Sequence, residues 1–107
     1  MNNIRMSAAA QRDLAEIKQY IELNLENPTA ALSTAKMIVQ KIRILADHAW
    51  AGAALNSIAD VDSDYRFLVT GNYLVFYRVY GNDVFVDRIL YGRRNYLNIL
   101  LGDLTED

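Results

Sequence analysis

The apolar residues of this chain change their period partway along. Through Ala49 they recur about every 3.6 residues, and from Tyr65 they alternate every second residue among dense aromatic and β-branched side chains. Two helices followed by an antiparallel meander is the arrangement this predicts. A short strand near Asn3 to Met6 comes first, and Ser7 is the expected N-cap of a helix opening on Ala8-Ala9-Ala10. The buried stripe of that helix is read as Ala10, Leu14, Ile17, Ile21 and Leu25, with Arg12, Asp13, Glu16, Gln19 and Glu22 on the solvent side. Asn27-Pro28 ends it and starts the next, because proline resists a helix interior but suits a first turn. The second helix is expected from Pro28 to Ala49, with a stripe of Leu32, Ala35, Val39, Ile42, Ala46 and Ala49 flanked by Ile38 and Leu45.

Three strands follow, near Tyr65–Thr70, Tyr73–Tyr80 and Val84–Tyr91. They are separated by the turns Gly71-Asn72 and Gly81-Asn82-Asp83. In the middle strand Leu74, Phe76, Arg78 and Tyr80 share one parity, and Tyr73, Val75, Tyr77 and Val79 the other. The valine face is assigned to the core. Arg93 to Leu101 forms a short helical or extended tail. The whole reads as an α+β fold, β-α-α-β-β-β with a tail, the sheet packed on an αα-hairpin in one domain over residues 1–107.

With no cysteine, neither a disulfide framework nor a thiolate metal site is available, and a reducing cytoplasm is the expected location. No basic-then-apolar leader follows Met1, and the apolar runs are too short to span a bilayer, so no membrane role is expected. Net charge is −2, but it is unevenly spread. Up to Asp64 there are six Lys/Arg against eight Asp/Glu, whereas Tyr65 to Gly102 holds five arginines against two aspartates. Those arginines, Arg66, Arg78, Arg88, Arg93 and Arg94, carry the planar fork that suits phosphate or carboxylate recognition. Taken singly, each is about as well explained by pairing with Asp83, Asp87 or the acidic tail.

Four stretches carry a resemblance: residues 10–17 in the first helix, Leu45 through Gly52, Tyr65 through Val79, and Arg88-Ile89-Leu90-Tyr91-Gly92-Arg93-Arg94-Asn95-Tyr96. The last two are the specific ones, a strand with a Tyr77-Arg78 pair and a strand running into Gly92-Arg93-Arg94. The chain resembles the RelE/ParE superfamily, the toxins of bacterial type II toxin–antitoxin systems. That resemblance implies an antitoxin partner, with a usually acidic segment covering the active surface, and two candidate activities, of which messenger-RNA cleavage is the leading expectation and gyrase poisoning the alternative. In the ribonuclease branch the toxin cleaves messenger RNA on the ribosome without metal or other cofactor. Cations stabilise the phosphate, and side chains move two protons. Carried over to this sequence, Arg93, Arg94, Tyr91 and Tyr96 would be catalytic and Arg66, Arg78 and Arg88 would bind RNA or a partner. Related ribonucleases often have an arginine where Leu74 stands and a histidine where Tyr91 stands. In the ParE branch the toxin poisons DNA gyrase by protein contact. A third reading is a degenerate toxin that only binds antitoxin.

The remaining motifs read as structural. His48 is the single histidine, read as a residue at a helix C-terminus, where the dipole favours it. Asp60, Asp62 and Asp64 begin like a calcium loop, but Tyr65 and Gly71 stand where glycine and glutamate are required. Trp50 is read as a lid on the core edge.

Overall fold

The computed structural model describes residues 1–59, 62–93 and 96–101. Its elements are β1 (Asn3–Met6), α1 (Ala8–Gln19), α2 (Pro28–Arg43), β2 (Ala53–Ala54), β3 (Arg66–Thr70), β4 (Tyr73–Tyr80), β5 (Asp83–Tyr91) and α3 (Tyr96–Leu101). The expected α+β order is present, with a two-residue strand, β2, that the sequence did not announce. The five strands form one sheet in the order β1-β5-β4-β3-β2, with β1 parallel to β5 and the other pairs antiparallel.

Ser7 binds the first strand, the first helix and the sheet together. Its Oγ accepts from the Ala10 N–H at 2.9 Å, donates to the Asp87 carbonyl at 2.7 Å, and its own N–H donates to the Val86 carbonyl. The N-terminal donors of α1 are thereby capped and the helix starts beside β5. At its other end α1 widens into a π turn over Tyr20–Asn24, where the Leu25 N–H donates to the Tyr20 carbonyl. The extra residue rotates Leu25 away from the stripe assigned to it, and Leu25 is exposed. Asn27 caps α2 by accepting from the Ala30 N–H at 3.0 Å, with Pro28 in the first turn.

α2 is shorter than expected, passing at Ile44 into a 3-10 turn, and its buried face is Ala31, Ile38, Ile42 and Leu45. The core-facing stripe therefore lies about one residue from the one expected, and Leu32 is exposed. The mixed apolar sequence around the helix offers two overlapping stripes, and contact with β-strand side chains selects between them.

In β4 the valine face meets the helices, as expected. Val75 and Tyr77 are fully buried with Ala10, Ile38, Leu45, Val84 and Val86. The opposite face is also covered, over part of its length, by α3. Phe67, Phe76, Leu55 and Leu90 form a second cluster with Tyr96, Leu97 and Leu100 packed against it. Pairing shifts between β4 and β5 at Phe76/Tyr77, which face Arg88 and Val86, so Asp87 is an extra residue in β5. Among the described residues no helix is long and apolar enough to cross a membrane.

Candidate functional site

Among the described residues, Arg66 stands apart from Arg78 and Arg88. Arg66 is in register with Tyr77, on the helix-facing side. Its guanidinium donates to the carbonyls of Gly52 and Trp50, and stacks over the Trp50 ring at 5.0 Å. It clasps the loop after α2. Trp50, expected as a lid on the core edge, is 65% exposed, with this guanidinium over its ring.

Arg78 lies on the other face, where its Nε donates to Asp87 at 2.8 Å and its guanidinium sits over the rings of Tyr65 and Tyr80. Tyr80 in turn donates to Asp64. Burial acts to lower the Arg78 pKa, but the Asp87 carboxylate together with Tyr65 and Tyr80 outweighs it and the net displacement is upward. Asp87 is the bulged residue, so the irregularity in β5 is what places a carboxylate there.

Arg88 makes a bidentate pair with Asp13, Nε to Oδ2 at 2.8 Å and Nη2 to Oδ1 at 2.9 Å. That hydrogen bonding holds the guanidinium above the usual arginine pKa. Asp13 Oδ2 also accepts from the Ile89 N–H at 2.9 Å. Asp13, expected on the solvent face, is 8% exposed. A helix-surface aspartate gives no sequence sign of a partner 75 residues away.

Arg93 is exposed in the turn after β5. Arg94 lies outside the described residues. The two tyrosines assigned catalytic roles fall on opposite sides of the sheet. Tyr91 pairs with Tyr73, edge to face at 5.8 Å, on the helix side. Tyr96 stacks on Phe76 at 5.4 Å in the second cluster. Leu74, where related ribonucleases carry arginine, belongs to that same cluster.

A tyrosine acting as a base near neutral pH needs a lowered pKa. The tyrosines with a resolved displacement move the other way. Tyr65 is pushed up to about 12 by burial and then by its hydrogen bond to Asp87. Tyr73 is raised by burial and by its neighbours Tyr91 and Tyr20. Tyr80 is raised first by its bond to Asp64.

What the fold does build is an apolar groove of about 810 Å³ between the tip of the helical hairpin and the far end of the sheet. Tyr20, Leu25 and Met37 form one wall, and Gly71, Tyr73, Ile89 and Tyr91 the other. Tyr20 and Leu25 are each more than half exposed. Exposed large apolar side chains collected along a concavity mark an interaction surface. Among the described residues the charged side chains lining it are those of Asp13, already paired with Arg88, and Glu16. The sequence signal was present in Tyr20 and Met37, large apolar residues outside the stripes assigned to the two helices.

The family model for the ParE toxin of the type II toxin–antitoxin system parDE matches residues 4–96. The chain belongs to that family. A solved structure titled "Chromosomal ParDE TA system from P. aeruginosa" matches with a TM-score of 0.68 at 26% identity, over 85% of this chain and 96% of that one. No curated protein matches. Membership of a toxin–antitoxin family implies a cognate antitoxin as partner.

Proposed function

We propose that this chain is a toxin of the ParE type, acting by protein contact on DNA gyrase and not by cutting RNA. The observation that carries the reading is the pairing of the arginines. Arg78 and Arg88 are each held by a carboxylate, Arg66 is spent on backbone carbonyls, and the exposed surface in excess is apolar. A phosphate in a cleavage transition state needs uncommitted cations, whereas a protein partner needs exposed apolar anchors. Tyr91 and Tyr96 on opposite sides of the sheet weigh the same way, because acid and base must reach one phosphate. Arg93 and Arg94 remain candidates for contact with the target.

The test is expression of the chain alone, followed by two measurements on the arrested cells and on purified gyrase. Linear DNA trapped in a gyrase complex, with messages uncut by primer extension, is the expected result. Discrete cuts within codons, with gyrase unaffected, would replace this reading by the ribonuclease. Undisturbed growth would leave a domain that only binds antitoxin.

A further inference from the structure

Trp50 is exposed, yet the loop that carries it is tied down. The Asp47 and His48 N–H groups both donate to the Ile44 carbonyl, and the Ala51 N–H donates to the His48 carbonyl. Arg66 donates to the Trp50 carbonyl and lays its guanidinium 5.0 Å from the centre of the indole. In this position the Arg66 Nε is buried with no hydrogen-bond partner among the described residues. An unmet buried donor opposes folding, so this arrangement is not one that stability alone selects. What it achieves is an indole fixed outward. A rigid exposed aromatic suits a protein contact, because little side-chain freedom remains to be lost on binding.

Beside the indole lies a shallow concavity of about 670 Å³, whose lining includes Asn2, Asp47, His48, Trp50, Gly81 and Asn82. Hydrogen bonds join its walls. The Asn2 N–H donates to the Ala46 carbonyl, Asn2 Nδ2 to the Leu45 carbonyl at 3.1 Å, and the Asn3 N–H to the Asn82 carbonyl at 2.8 Å. The site is thus formed before any partner arrives. Arg66 does not line it, so Trp50 offers the concavity the surface that the guanidinium leaves free. Among the described residues Asp47 is the carboxylate of the lining, it has no ion pair, and no lysine or arginine stands beside it there.

We propose that this concavity receives a lysine or arginine side chain of DNA gyrase, its methylenes lying on the indole and its charge reaching Asp47. The inference rests on the reading of the chain as a gyrase poison and names the surface that makes the contact. An unpaired carboxylate attracts a basic group and repels an acidic one, so the usually acidic antitoxin segment does not fit here. The position of the site agrees with this division. The apolar groove lies at the Gly71-Asn72 end of β4 and the Trp50 concavity at its Gly81-Asn82 end. The strand between them is 8 residues long, so the two surfaces are roughly 25 Å apart.

The experiment compares the purified wild-type chain with Trp50→Ala, Trp50→Phe and Asp47→Asn. Three readouts are taken: surface plasmon resonance on purified gyrase, linear DNA trapped by that enzyme, and affinity for the full-length antitoxin encoded in the neighbouring reading frame. Trp50→Ala should weaken gyrase binding about thirtyfold or more, the loss of a central anchor. Asp47→Asn should weaken it about fivefold, and Trp50→Phe less than Trp50→Ala because a ring remains. Trapped DNA should fall in step, while antitoxin affinity stays within about twofold of wild type. Asp47 is exposed, so Asp47→Asn carries the test even where Trp50→Ala unfolds the chain. Full gyrase binding and poisoning by Asp47→Asn and by a folded Trp50→Ala would overturn the site and leave the gyrase reading standing. Loss of antitoxin binding with gyrase binding intact would overturn the assignment of the occupant. A wild-type chain without effect on gyrase would remove that reading, and this inference with it.

Discussion

Asp13 shows how much one side chain can settle. It holds Arg88 with two bonds and closes the Ile89 N–H, so α1 is pinned to β5 where β1 stops covering it. Both partners are largely buried, at 10% and 29% side-chain exposure, and breaking such a pair from one side strands the other charge. Asp13→Ala should cost about 3 kcal/mol and lower the melting temperature by about 12 °C or more; a change under a few degrees would show the pair to be dispensable. Tyr65 gives a second residue-scale prediction. Its pKa is raised from 10.0 to about 12, so the folded state keeps a proton that the unfolded chain gives up between those values. Stability tied to Tyr65 is thus complete below pH 10 and lost as pH climbs through 12. Denaturant melts from pH 9 to 12 should show a decline that is shallower in Tyr65→Phe, with Tyr73 and Tyr80 supplying the remainder.

Among the elements, the turn into β2 depends on a close approach that only glycine permits. The Gly52 N–H donates to the Tyr77 hydroxyl at 2.8 Å, and a Cβ on Gly52 would lie 2.5 Å from the Phe67 carbonyl oxygen. Gly52→Ala should destabilise by about 2 kcal/mol through overpacking, and Tyr77→Phe by about 1 to 2 kcal/mol by leaving the buried N–H unbonded. Urea melts of the two variants check both, and an unchanged midpoint for either would refute the contact. β1, β3, β4, β5 and both helix starts were legible in sequence because alternation, Ser7, Asn27 and the glycine turns act locally, whereas β2 was not. The site was not. Arg88 and Asp13 are 75 residues apart, and no local pattern says that a strand arginine will be neutralised by a helix aspartate. Likewise the π turn after Gln19 is one extra residue in a hydrogen-bond ladder, yet it carries Leu25 from the buried stripe to the groove. Tyr96 was legible as an aromatic in the tail, but its role followed from α3 covering the second sheet face, which depends on Phe76 being on that side.

At the scale of the molecule, the described residues place apolar surface both in closed clusters and in an open groove, and the two should respond oppositely to mutation. Ile38 lies wholly inside the cluster between hairpin and sheet, so Ile38→Ala should cost about 3 kcal/mol of stability through the cavity it leaves. Leu25 is 55% exposed at the wall of the groove. Leu25→Asp removes little buried area, so the melting temperature should stay within about 2 °C of wild type. The same change sets a carboxylate facing the apolar side of a bound partner, beside Glu16, where desolvation and like charge both oppose association. Affinity for the antitoxin, measured by titration calorimetry, should fall at least about tenfold, the loss expected when an interface anchor becomes a charge. Full affinity in Leu25→Asp would mean the partner binds elsewhere and the groove is incidental. Parallel loss of affinity and of folding would mean Leu25 belongs to the core, contrary to its exposure.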